Sequence, residues 1–148
     1  MLEALLSTKE DLVPFLLRII LAVVIFPHGA QKLFGWFGGY GFKGTYGYMT
    51  QQAGLPGIIA VLVILGESFG SVTLLLGFLT RFSAISIGII LLGATLLVHR
   101  QHGFFMNWFG AQQGEGYEYH ILGIGIAVVL GITGGGIYSL DLWLQGLL

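Results

Sequence analysis

Few side chains in this sequence can do chemistry. The four histidines are His28, His99, His102 and His120. A histidine exchanges protons near neutral pH, donates to a carbonyl oxygen, or ligates a metal through either ring nitrogen. Lys32 follows His28 by one helical turn, and Arg100 stands beside His99. Among the acids, Glu67 interrupts a long apolar run, and Glu118 precedes His120 by two residues. Arg18 is also enclosed by apolar residues. A charge in such a run needs a partner. Arg18 and Glu67 therefore read first as a structural ion pair, with a proton-relay role for Glu67 as the alternative. There is no cysteine, which removes disulfides, thiolate metal sites, iron–sulfur clusters and cysteine nucleophiles together. No GxGxxG follows a strand, so a dinucleotide loop is rejected. No metal site is expected, and any redox chemistry must draw on a partner or a bound cofactor.

The elements that position these groups follow from composition. The 148 residues are 55% hydrophobic and only 9% charged, against roughly 25% charged in soluble domains. A net charge of -1 offers no basic face for nucleic acid. Four stretches approach the ~20 apolar residues that cross a bilayer: Leu12–Phe34, Pro56–Leu79, Phe82–Val98 and Tyr119–Leu140, the last running through three glycines. The acidic N-terminal segment and the lack of a cleavage site argue against a signal peptide. Continuous apolar runs argue against a β-barrel. The expected fold is all-α: an antiparallel four-helix transmembrane bundle, one domain over residues 1–148. Thr80 and Arg81 form a tight hairpin between spans two and three. The two long loops, residues 35–55 and 103–118, are rich in aromatics and glycine. Such residues favour the membrane interface.

Each span has a face of small or polar residues. Span one carries Arg18, Ala22, Ile25, Gly29 and Lys32; span two has Gly66, Gly70 and Ser71 around Glu67. On span three the face is Ala84, Gly88, Leu92, Thr95, His99 and His102. On span four it is His120, Gly123, Ala127, Gly131 and Gly134. These faces suit close helix contacts, within the chain or in a homo-oligomer. Alternating span direction then gathers His28, Lys32, His99, Arg100, His102, Glu118 and His120 in one layer on the two-loop side. Glu67 is expected deeper, between the levels of Arg18 and His28. Cations are level between the two sides. Discounting Lys32 and Arg100 as groups serving the interior places both termini in the cytoplasm.

Three chemistries fit this layer. A histidine donating to a quinone carbonyl, Lys32 stabilising the developing anion and Glu67 supplying a proton would make a quinone or proton-transfer site. Bis-histidine haem ligation, by His28 with His99 or by His99 with His120, is an alternative. A transporter, lipid-binding module or assembly factor needs neither, although four spans are few for a transporter.

Several ordered segments carry a resemblance. Arg18 to Leu21, His28 to Leu33, Gly66 to Gly70 and Leu75 to Arg81 are similar to segments of the DoxX family. So are His102 to Phe105, the GEGYEYH stretch before span four, and Tyr138 to Asp141. The resemblance covers nearly the whole chain. It implies a small four-helix bacterial membrane protein of the inner membrane. It further implies a subunit or partner of a membrane oxidoreductase such as thiosulfate:quinone oxidoreductase, with Arg18, His28, Gly29, Lys32 and Glu67 as signature residues. With no cysteine in the chain, an accessory subunit within a redox complex is expected over an independent catalyst.

Overall fold

The computed structural model describes residues 2–147, and these form helices with no strand among them. A short helix, α1 (Leu2–Leu6), leads to α2 (Leu12–Phe34). The Asp11 carboxylate caps α2 by accepting from Val13 N at 2.8 Å. Gly35, at φ 76°, ends it in the left-handed conformation. Loop one holds α3 (Gly41–Gly47) and a wide turn over Tyr48–Gln52. Then come α4 (Gly57–Leu76), α5 (Thr80–Ala94) with further helical turns to His102, α6 (Glu118–Thr133) and α7 (Leu140–Gln145).

Three segments are long and apolar enough to cross a membrane: Leu12–Phe34, Gly57–Leu76 and Thr80–His102. At 1.5 Å per residue the 16 residues of α6 rise about 24 Å, short of the ~30 Å hydrocarbon core. The expected fourth span to Leu140 is therefore not one helix. Gly134 and Gly136, at φ 83° and 70°, break it, and α7 restarts after Tyr138. The hairpin between spans two and three is also displaced from Thr80–Arg81. Gly77, at φ 65°, stops α4. Its N–H bonds Leu74 O at 3.0 Å, and Phe78 N bonds Thr73 O at 2.9 Å. That pair of bonds is the Schellman closure, so the turn is Gly77–Leu79 and Thr80 already belongs to α5.

Close approach of the helices explains much of the glycine content. A Cβ on Gly29 would lie 2.6 Å from Ser68 Cα, so α2 and α4 touch almost backbone to backbone there. Gly123 meets Leu91, and Gly88 meets Ala127, across α5 and α6. The core behind these contacts is Leu21, Ala22, Ile25, Leu74, Ala84, Ile87, Leu91, Ala127 and Leu130. The expected face of span three holds at Ala84 and Gly88 but not at Leu92, which is exposed while Leu91 is buried. Outward, α2 shows Leu16, Ile20 and Val23, and α5 shows Ile85 and Ile89. This apolar exterior is the surface that meets lipid.

Arg18 overturns the ion pair expected between it and Glu67. It is 1% exposed, and its guanidinium donates to five carbonyls. Leu74 O and Leu75 O, at 3.1 and 2.6 Å, belong to the last turn of α4. Gly135 O, Ile137 O and Tyr138 O, at 2.9, 3.4 and 2.7 Å, belong to the break after α6. Carbonyls freed by a helix end and a chain break need donors when water is absent. A planar guanidinium with five N–H groups can serve several at once. Asp141 completes the knot by accepting from Leu79 N and Thr80 N at 2.7 and 2.8 Å, at the start of α5.

The cation count also changes. Lys32 serves the interior, as the next section describes, but Arg100 is exposed, so the reason for discounting it falls. Arg18 is buried and drops out on the opposite side. Lys9 and Arg81 then stand against Lys43 and Arg100, and the count does not choose an orientation.

Candidate functional site

Glu67 pairs with Lys32. The Lys32 Nζ and Glu67 Oε2 form the ion pair found among the described residues, with side chains 24% and 9% exposed. The local sequence makes this meeting. Gly29 lets α2 settle onto the backbone of Glu67 and Ser68, and Ser68 Oγ locks the contact by donating to Gly29 O at 3.0 Å. Lys32 is three residues beyond Gly29, on the same helical stripe, and reaches over to the carboxylate. A lysine stem suits this geometry because it crosses apolar surface while its ammonium stays at the polar end.

The pair looks into a groove of about 800 Å³ between α4 and α5. From α5 the groove takes Phe82, Ser86, Ile90, Gly93 and Leu97, which recur every three or four residues. From α4 it takes Gly66, Gly70 and Thr73, and Tyr48 and Met49 of loop one close the loop-side end. Phe82 and Leu97 are fifteen positions apart, so the groove follows about 22 Å of helix. Thr73 Oγ1 and Ser83 Oγ, 2.7 Å apart, bond each other near its far end. Nearly everything else in the lining is apolar. The volume lies within the range of small-molecule sites, about 300–1,000 Å³.

The histidines divide. The His99 and His120 rings lie against each other, tilted, with centroids 4.1 Å apart. His99 Nδ1 is 2.9 Å from Glu115 O, while the buried His120 Nδ1 has no partner. Tyr119 lies beside this pair, 5.3 Å from the His120 ring, and its other neighbour is His28 at 6.3 Å. His28, Tyr119, His120 and His99 thus make one row of rings. His28 itself is exposed on α2, one turn before Lys32. His102 stands apart: its Nε2 lies 3.3 Å from Gln101 Nε2. Glu118 also works elsewhere, its Oε1 accepting from Met106 N and Trp108 Nε1, both at 3.0 Å. It organises loop three.

Haem ligation by His99 with His120 does not fit this arrangement. Axial imidazoles must stand on opposite faces of a porphyrin with nitrogens aimed at the iron. The His99 and His120 rings instead lie against each other, with 38° between their planes. No group of three or more His, Asp or Glu side chains that could hold a metal ion occurs among the described residues. Lys32 offers a donor, Glu67 an acceptor, and the groove an apolar bed.

Sequence reasoning missed two members of the site, Tyr119 and the groove. For Tyr119 the signal is its place beside His120 at the start of span four. The groove had a signal in the Phe82, Ser86, Ile90, Gly93, Leu97 periodicity.

Residues 13–100 match the DoxX family. An Escherichia coli (strain K12) protein, "Inner membrane protein YqjF", is 32% identical over 133 residues, covering 89% of this chain and 92% of the relative. A Bacillus subtilis (strain 168) protein, "Putative oxidoreductase CatD", is 28% identical over 126 residues, covering 85% and 82%. No solved structure matches.

Proposed function

The chain belongs to the DoxX family, and from that membership we propose that it is an integral subunit or partner of an oxidoreductase system in the bacterial inner membrane. Lys32 and Glu67 hold the ring of a quinone or quinol. The whole chain acts as one transmembrane domain, an antiparallel bundle in which α6 and the buried segment after it make the fourth crossing. The observation that carries this reading is the Lys32–Glu67 pair set into the wall of an apolar groove. An ion pair is an expensive thing to place against lipid. It offers a donor and an acceptor side by side, which is what a quinone carbonyl and a quinol hydroxyl require.

Lys32 Nζ donates to a ring carbonyl oxygen and stabilises the charge that gathers there as electrons arrive. Glu67 accepts the hydroxyl proton of the quinol, or returns it when the ring is reduced. The electrons come from a partner protein or a bound cofactor, because the chain itself has no cysteine and no dinucleotide loop. The ring row of His28, Tyr119, His120 and His99 leads from this level to the Glu115 carbonyl in loop three. It supplies groups that exchange protons with water on the loop side.

Trp36 lies four residues beyond Lys32 and serves as the fluorescent reporter. The test is fluorescence quenching in nanodiscs, in a variant with Trp108→Phe and Trp143→Phe so that Trp36 alone emits. Saturable quenching by ubiquinone or menaquinone, weakened at least tenfold by Lys32→Met, is the expected result. Linear, non-saturating quenching that is the same in both proteins would end the proposal.

A further inference from the structure

We propose that the part of the α4–α5 groove running from Glu67 toward Phe82 seats the isoprenoid tail of that quinone, so that the ligand enters sideways from the bilayer. This rests on the headgroup reading above. Four observations support it. The Lys32–Glu67 pair lines the groove partway along its length. Gly66 abuts Ile90 across the two helices, which sets the Glu67 level at about Ile90 on α5. On the loop side of that level the lining includes Tyr48, Met49 and Leu97, about 10 Å of groove closed by loop one. On the other side Gly70, Thr73, Phe82, Ser83 and Ser86 continue the trough. From Ile90 to Phe82 this second part extends about 12 Å along the helix axis.

Small side chains make it a trough. Ser86 sits where a large residue would fill the space, Gly70 lets α4 close onto Ile87 of α5, and the hydroxyls of Thr73 and Ser83 satisfy each other at 2.7 Å, while Ser86 Oγ donates to Phe82 O at 2.8 Å. No free polar group therefore faces the tail. The trough is also open along its side, where Phe69, Phe82 and Ile89 are exposed on the apolar surface.

The charge pattern selects the occupant. Lys32 and Glu67 neutralise each other, so the mouth of the trough presents a donor and an acceptor with no net charge. An uncharged head with oxygen atoms on a single unsaturated tail matches this. A phospholipid brings a phosphate that would compete with Glu67 for Lys32, and a second acyl chain for which a single trough has no place.

The experiment measures affinity against tail length in phosphatidylcholine nanodiscs, with ligand expressed as mole fraction in the bilayer so that partitioning does not masquerade as binding. The series runs from tail-less benzoquinone through one, two and more isoprene units. Affinity is expected to rise by tenfold or more over the first units and then level off once the tail leaves the trough. Ser86→Leu, which fills the trough from a position outside the ion pair, should flatten this series. Equal affinity across the series in the unaltered protein would overturn the proposal, as would a series unaffected by Ser86→Leu in a protein with unchanged thermal stability. Displacement of the bound quinone by added phosphatidylglycerol would overturn it in favour of a lipid occupant. Lys32→Met separates the two readings. If the tail dependence survives and Lys32→Met changes nothing, the headgroup assignment fails. If Lys32→Met abolishes binding but tail length has no effect, only the tail assignment fails.

Discussion

Lys32 and Glu67 form an ion pair across the contact between α2 and α4, at the level where Gly29 lets the two backbones meet. The pair is asymmetric: the lysine side chain is 24% exposed and the carboxylate 9%. Breaking it should therefore cost different amounts from its two ends.

Lys32→Met strands the more buried charge and should destabilise more than Glu67→Gln, whose orphaned ammonium can extend toward the polar end. Losing one partner of a buried pair costs about 3–5 kcal/mol, and Lys32→Met should approach the lower part of that range. The double variant Lys32→Met with Glu67→Gln should recover part of the loss. Thermal unfolding in detergent checks the order. A larger drop for Glu67→Gln than for Lys32→Met would contradict it.

Arg18 is a fastener, with five carbonyls on one side chain. Arg18→Lys should fail to rescue it, because an ammonium has three donors at most and no planar fork. Each buried acceptor left without a donor costs about 1–3 kcal/mol. Arg18→Met should abolish accumulation of the folded protein, and Arg18→Lys should lower its unfolding temperature well below that of Lys32→Met. Membrane yield and thermal unfolding report both.

The different fates of Arg18 and Glu67 show what the sequence could and could not reveal. Runs of apolar residues made the long helices legible, and helical spacing correctly grouped Arg18, Ala22, Ile25 and Gly29 on one buried stripe. Depth alone suggested pairing Arg18 with Glu67, because opposite charges in apolar runs attract each other in any sequence reading. The competing demand came from backbone carbonyls at Leu74, Leu75 and the Gly135–Tyr138 break, and carbonyls are invisible in a sequence until helix ends are known. The triple glycine was the available signal: three successive residues without side chains inside an apolar run predict a break, and a break in lipid predicts a buried donor. Glu118 misled for a similar reason. Its place beside His120 in the sequence is real, but its carboxylate points to loop three.

Gly29→Ala should be among the most damaging single-methyl changes in the chain. The added Cβ would sit 2.6 Å from Ser68 Cα, a backbone atom that cannot turn aside. Overpacking of this kind costs about 1–3 kcal/mol, and separating the helices would also pull Lys32 from Glu67. Gly125→Ala is the control. Its Cβ would meet nothing within 4 Å, and alanine within a helix should stabilise by about 0.5–1 kcal/mol. Opposite shifts in unfolding temperature are expected for the two variants.

His120 carries a buried Nδ1 with no partner. Replacing an unsatisfied polar group by an apolar one of similar size removes a cost. His120→Leu should therefore leave the unfolding temperature unchanged or raise it, while slowing proton exchange between the proposed quinone site and the loop side. A fall as large as that of Gly29→Ala would show that the ring nitrogen does have a partner in the membrane.

The central claim is that Lys32 and Glu67 hold the head of a quinone from the bilayer, and photo-crosslinking tests it most directly. A quinone carrying a photoreactive group on its ring is added to the protein in nanodiscs, illuminated, and the adducts are mapped by mass spectrometry. The account predicts adducts on Tyr48, Met49 and residues flanking Glu67, suppressed by excess unlabelled quinone and absent in Lys32→Met. Adducts spread over Leu16, Ile20 and Val23 on the outer face of α2, with no suppression by unlabelled quinone, would contradict it.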